Sequence, residues 1–165
     1  MYTFVSGNTA LDFAGTVQHR DTTPLDLLSC PGDLDGWLLE AGVLDNDAHC
    51  GTAEFESAIE LREAIYRLAR DAAEEWRWHA ADVELINRAA AGHRPRPVLR
   101  DDATVQHLGT CAQALAALAA DAVELLGGPD RGRVEQCGRE GCTRLYVDTS
   151  RAGSRRWCDM AICGN

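Results

Sequence analysis

Apolar residues recur at spacings of three and four over residues 52–79, where Ala58, Leu61, Ile65, Leu68, Ala72 and Trp76 fall on one face of an amphipathic helix. A second such run over 103–126 carries Val105, Leu108, Ala112, Leu115, Leu118, Ala122 and Leu125, and Gly127-Gly128-Pro129 ends it. Between them "AADVELINRAAAG" is a shorter helix stopped at Gly92, and the proline-containing "HRPRP" reads as a loop. Upstream, a helix starting near Pro31 turns Leu34, Trp37, Leu38 and Val43 inward. Tyr2–Val5 fits a short strand, and 10–17 a helix. After Gly128 the period changes from helical to alternating. "RVEQC" and "RLYVD" then read as a small hairpin, with Leu145 and Val147 on one side and Tyr146 and Asp148 on the other. The expected fold is mainly α: a multihelical part over 1–128 and a small module with a β-hairpin and a short helix over 129–165.

Charge sharpens that division. The 165 residues contain no lysine; residues 1–130 hold 22 acidic residues and 9 arginines, a net −13, whereas residues 131–165 hold 4 and 7, a net +3. No stretch approaches the roughly 20 apolar residues that cross a bilayer, and "MYTFVSGN" lacks the pattern of a signal peptide. The chain is therefore expected in the cytoplasm and off the membrane, where its seven cysteines read as thiols or metal ligands rather than disulfides.

Four of those cysteines close the chain as Cys137-x(4)-Cys142-x(15)-Cys158-x(4)-Cys163. Two close pairs joined by a mid-length loop are what a tetrahedral structural zinc site requires, and Gly138 and Gly141 give the first pair room to turn. An all-cysteine set leaves no open coordination position, so one structural zinc ion is expected and catalysis is not. The module has too few apolar side chains to hold itself together, whereas structural zinc contributes about 10–16 kcal/mol in finger peptides. Cys30, Cys50 and Cys111 lack partners at ligand spacing and read as small buried residues.

The segment between the pairs, "TRLYVDTSRAGSRRW", combines Arg151, Arg155 and Arg156 with hydroxyl side chains and Trp157. Guanidinium forks, hydroxyl donors and a stacking ring suit phosphate contact, which makes those three arginines candidate nucleic-acid ligands. The alternative is a zinc-stabilised protein-interaction or oligomerisation module without DNA binding, in which these arginines pair internally with carboxylates. Zinc with four thiolates carries −2, leaving the module near +1, and three phosphate contacts correspond to a log-log salt slope near −2.7. Binding of DNA by these residues alone is expected to be weak. In the helical part, Asp12 is a lone carboxylate in the apolar "ALDFA". It is either a helix-cap or arginine-paired buried acid or, as a second option, part of a ligand pocket.

The segments "CGREGC", "LYVDTSRAGS", "RRWC" and "CGN" resemble the CGNR zinc-finger proteins, and "ALDFAGTV" resembles the opening motif of the ABATE domain that precedes that finger. The likeness spans nearly the whole chain. It implies a stress-induced transcription regulator: a finger that contacts DNA and a largely helical domain that senses a small ligand or a protein partner. A homodimer is compatible with it. Gly15 stands where the opening motif carries asparagine, and the sequence closes at Asn165 without the arginine and basic tail usual after it.

Overall fold

The computed structural model describes residues 2–74 and 77–164. It consists of five α-helices, three two-stranded antiparallel ribbons and one 3-10 turn among those residues. In chain order these are α1 (Thr9–Ala14), β1 (Val17–Gln18), β2 (Leu25–Asp26), α2 (Pro31–Glu40), α3 (Thr52–Ala73), α4 (Ala80–Ala90), β3 (Arg96–Leu99), β4 (Val105–Leu108) and α5 (Cys111–Gly127). The 3-10 turn Pro129–Arg133 leads into β5 (Val134–Gln136) and β6 (Leu145–Val147).

Local chemistry sets the helix starts. Asn8 accepts the Leu11 N–H at 3.2 Å to begin α1. Thr110 and Gln113 form a reciprocal capping box at α5, with the Thr110 N–H donating to Gln113 at 2.9 Å and the Gln113 N–H to Thr110 at 3.3 Å. The helices then bury the face that the period predicts: Ala58, Leu61, Ile65 and Leu68 of α3, Leu115, Leu118, Ala122 and Leu125 of α5, and Leu34, Trp37 and Leu38 of α2 all lie in one core around Leu11 and Phe13. The Phe13 and Trp37 rings meet at 5.1 Å.

Four expectations are corrected. Residues 2–5 form no strand. "HRPRP" is not a plain loop, since Arg96–Leu99 pairs with Val105–Leu108, so Val105 and Leu108 belong to a ribbon and α5 starts only at Cys111. Prolines fit there because a two-stranded ribbon has an outer edge where no N–H is needed. Ala112 is exposed. Finally, Cys50 and Cys111 are joined as a disulfide between the start of α3 and the start of α5, with Cα atoms 5.4 Å apart. Both are buried, as read from the sequence, but neither is an unpartnered thiol, and Cys30, read as buried along with them, is exposed. Trp76, placed on the α3 face by its spacing, lies outside the described residues.

Ion pairs tie the β1–β2 ribbon to α3. Arg62, 2% exposed, grips both oxygens of Asp26 at 2.7 and 2.8 Å and also bonds Thr16 at 3.3 Å. Arg20 pairs with Glu63 at 2.6 Å and lies 3.9 Å over the Tyr66 ring. Burial pushes the Glu63 carboxyl up, but its hydrogen bonds and charge contacts with Arg20 and Arg62 leave it below the usual range.

Candidate metal centre and its loop

Strand β6 is where the two cores meet. Its alternation puts Leu145 and Val147 into the helical core, while Tyr146 packs among Cys137, Cys158 and Cys163. Val134 of β5 joins the helical core, and Cys137, the residue after the end of that strand, enters the sulfur cluster. The hairpin thus delivers the first cysteine pair, and the Cys137 N–H closes the ladder onto the Arg144 carbonyl at 2.9 Å. Between Cys137 and Cys142 the chain turns through Gly141, whose φ of 76° falls in the left-handed region. The second pair closes in a single turn, in which the Cys163 N–H donates to the Asp159 carbonyl at 3.0 Å and the Ile162 N–H to the Asp159 side chain at 2.8 Å. The 3-10 segment Pro129–Arg133 is the short helical piece of the module among the described residues. Gly164 is required by close approach, because a Cβ there would meet the Met160 carbonyl oxygen at 2.9 Å.

The four sulfurs lie within 4.8 Å of one another. Cys142 to Cys158, Cys158 to Cys163 and Cys163 to Cys142 are 3.9, 3.5 and 3.9 Å apart. A tetrahedron of Zn–S bonds near 2.3 Å has edges of about 3.8 Å, so the donor set fits one zinc ion. The hydrogen bond between Cys142 and Cys158 holds the Cys142 thiol down to about 5 and, together with burial, pushes the Cys158 thiol up. The Cys158 N–H adds a donor to Cys137 Sγ at 3.4 Å, the kind of outer contact that orients a thiolate ligand.

The loop between the pairs is organised by Asp148, which accepts the Ser150 N–H at 2.8 Å and the Arg155 N–H at 3.0 Å. Those bonds hold its carboxyl below the usual range, with the Ser150 contact contributing most. The three candidate arginines separate. Arg155 turns inward: its guanidinium donates to the Trp157 and Val5 carbonyls, both at 2.9 Å, and to that of Cys158, and lies 4.4 Å over the Tyr146 ring. Arg151 and Arg156 are exposed, and Arg156 stacks 5.0 Å over the Trp157 ring. The grouping of three therefore narrows to two, with Arg155 serving the joint between finger and N-terminal segment.

Asp12 serves the same joint from the other side. Its Oδ1 accepts the Val5 and Ser6 N–H groups, both at 3.0 Å, and lies 3.6 Å from the Arg144 guanidinium. Burial raises its pKa, opposed by those bonds and by Arg144. Arg144 also donates to the Thr3 and Gly15 carbonyls at 3.0 and 3.4 Å. Of the two options for this acid, its contacts match the arginine-paired one. A shallow hollow bordered by Phe4, Asn8 and Glu40 does reach it. Two linking residues have no sequence signal at all. His19 bonds the Gly141 carbonyl through Nδ1 at 2.8 Å, and Arg144 is simply one of 16 arginines. Both meet partners more than 120 residues away.

A helical body fused through a hairpin to a four-cysteine metal centre defines a zinc-finger protein. Residues 7–129 match the family described as "ABATE: Putative stress-induced transcription regulator", and residues 133–165 match the CGNR zinc finger. The first match spans most of the chain, which belongs to that family; the finger's four cysteines are positioned to bind one metal ion. No match is found among curated proteins.

Proposed function

We propose that this chain is a transcription regulator whose finger touches DNA phosphates through Arg151 and Arg156, while the acidic helical part receives a ligand or a protein partner in the cytoplasm. The observation that carries the reading is the exposure of those two guanidiniums on a loop pinned at both ends by zinc ligands. Cys137, Cys142, Cys158 and Cys163 would hold the zinc, which would supply rigidity at the ends of the loop, while Asp148 and Arg155 shape what lies between. Two phosphate contacts give a log-log salt slope near −2. Measured duplex affinity between low and moderate salt should show that slope, and Arg151→Ala with Arg156→Ala should flatten it. Absence of binding by the zinc-loaded chain at low salt would refute the DNA contact. Among the described residues no helix is long and apolar enough to cross a membrane.

A second reading from another class has an observation in its favour. Met160 and Ile162 are 67% and 54% exposed on the second cysteine turn, a surface suited to a protein contact or to a second copy of the chain. Retention of a protein partner, or dimerisation, that is lost in Met160→Ser with Ile162→Ser while DNA affinity is nil would favour it.

A further inference from the structure

A cavity of about 230 Å³ lies where the turn after α2, the base of the β3–β4 ribbon and the middle of α5 meet, and among the described residues none of its lining comes from the finger. Val43 and Leu118 give it apolar walls. Arg94, just before β3, and Asp121 of α5 bring opposite charges to it, and the carbonyl end of α2 reaches it at Ala41. Both charged residues are exposed, yet among the described residues no ion pair or side-chain hydrogen bond takes up either one. Solvent reaches Asp121, but the surrounding protein is dense enough to raise its carboxyl, and the Arg94 charge opposes that rise. The two therefore sense each other from more than 4.0 Å apart. The ribbon side of the cavity is held in place. The Asp45 N–H donates to the His107 carbonyl at 2.8 Å and the His107 N–H to the Asp45 carboxylate at 2.6 Å, while the Asn46 amide bonds the Gly109 carbonyl and N–H at 3.0 and 2.9 Å.

We infer that this cavity binds a free aliphatic α-amino acid, with its carboxylate on Arg94, its ammonium on Asp121 and its side chain against Val43 and Leu118. A zwitterion matches the pattern because it carries both charges on one carbon, whereas a simple anion or cation leaves one wall charge without a counterpart. The carbonyl end of α2 favours the ammonium as well, since a helix C-terminus carries partial negative charge. The volume lies below the roughly 300–1,000 Å³ of clefts that take drug-sized ligands, which suits a ligand of this size. Walls fixed before binding spare the ligand the cost of ordering them. The inference rests on the proposal that the helical part receives a ligand, and names its class and its place; it does not depend on whether the finger touches DNA. Because Arg94 leads into the ribbon and Asp121 stands on α5, the bound amino acid ties those two elements together.

The test titrates the full zinc-loaded chain in a calorimeter with L-leucine, with 4-methylpentanoate, which lacks the ammonium, and with 3-methylbutylamine, which lacks the carboxylate. L-Leucine is expected to bind once per chain and each analogue several-fold more weakly, the modest factor of solvent-exposed charge pairs. Arg94→Gln should weaken L-leucine and leave 3-methylbutylamine unchanged, and Asp121→Asn should weaken L-leucine and leave 4-methylpentanoate unchanged. Both substitutions fall at exposed positions, and an unaltered thermal midpoint of each variant without ligand checks that it folds. Equal affinity for L-leucine and either analogue would overturn the amino-acid assignment while leaving ligand reception by the helical part standing. No saturable binding of any of the three, or L-leucine binding untouched by both substitutions, would overturn the inference as a whole, whereas duplex affinity of the same protein reads the DNA proposal separately.

Discussion

The helical core and the metal centre are held by opposite means, yet they share a strand. The helical core buries Leu11, Phe13, Trp37, Ile65 and Leu118 almost completely. The metal centre offers only Tyr146 and four sulfurs, with Val5 and Trp157 against them, too little apolar surface for a core of its own. Strand β6 faces both, and Asp12, Arg144 and Arg155 cross between them. A module that would be independent on composition is thereby built into its neighbour. Loss of the metal should therefore be felt in the helices, and not only in the last 33 residues that match the finger.

The comparison breaks most violently at the metal. Cys158→Ser removes one ligand and leaves three crowded thiols; zinc content should fall below half an equivalent, with a stability loss of several kcal/mol, a part of the about 10–16 kcal/mol that structural zinc contributes to finger peptides. Next in size is the staple on the helical side. Reducing the Cys50–Cys111 disulfide, which spans 61 residues, should lower stability by up to about 4 kcal/mol by the chain-entropy argument, with zinc still bound. Thermal unfolding with and without reductant, in a Cys50→Ala, Cys111→Ala background as control, reads that difference. Leu145→Ala probes the shared strand. A leucine with 1% exposure leaves a cavity costing about 3 kcal/mol, and because β6 serves both cores, zinc affinity should drop together with helix stability. If zinc affinity is unchanged, the cores are separate.

The smallest effect is electrostatic and confined to the helical side. Arg67 holds both oxygens of Asp82, at 2.6 and 2.8 Å, and that bond keeps the Asp82 carboxyl below its usual range. A depressed folded-state value means that the pair stabilises above the unfolded pKa, near 4, and that this contribution is lost as pH falls through the lower folded value. Arg67 is 44% exposed, so screening limits the gain to about 1 kcal/mol. Denaturant midpoints of Asp82→Asn should lie below those of the parent at pH 7 and converge with them as the pH falls through the lowered folded-state value, with no change in zinc content.

How far the sequence reveals this arrangement follows from the range of each signal. Helices α2 to α5 are legible because their apolar stripes repeat locally, and the sulfur cluster because its ligands come as two close pairs. The β3–β4 ribbon is hidden because Val105 and Leu108, three apart, continue the α5 period as well as they fit a strand. Pairs formed at long range leave no local trace: Cys50 with Cys111, Asp12 with Arg144, and Arg155 with Val5. The inward turn of Arg155 cannot be told from the exposure of Arg156 beside it, because the carbonyls that hold Arg155 belong partly to the other end of the chain. The conspicuous "LDF" motif is explained by the same joint, with Leu11 and Phe13 in the core and Asp12 anchoring the segment that meets the finger.

Whether the metal centre and the helices form one cooperative unit is tested most directly by melting the full chain, zinc-loaded and then stripped by a chelator, while following the far-ultraviolet helix signal. Shared burial through β6 predicts one transition for the loaded protein and a helix midpoint lowered on the order of 10 °C or more after stripping, since each kcal/mol shifts a domain of this size by about 2–4 °C. A helix signal that melts at the same temperature with and without zinc would contradict it.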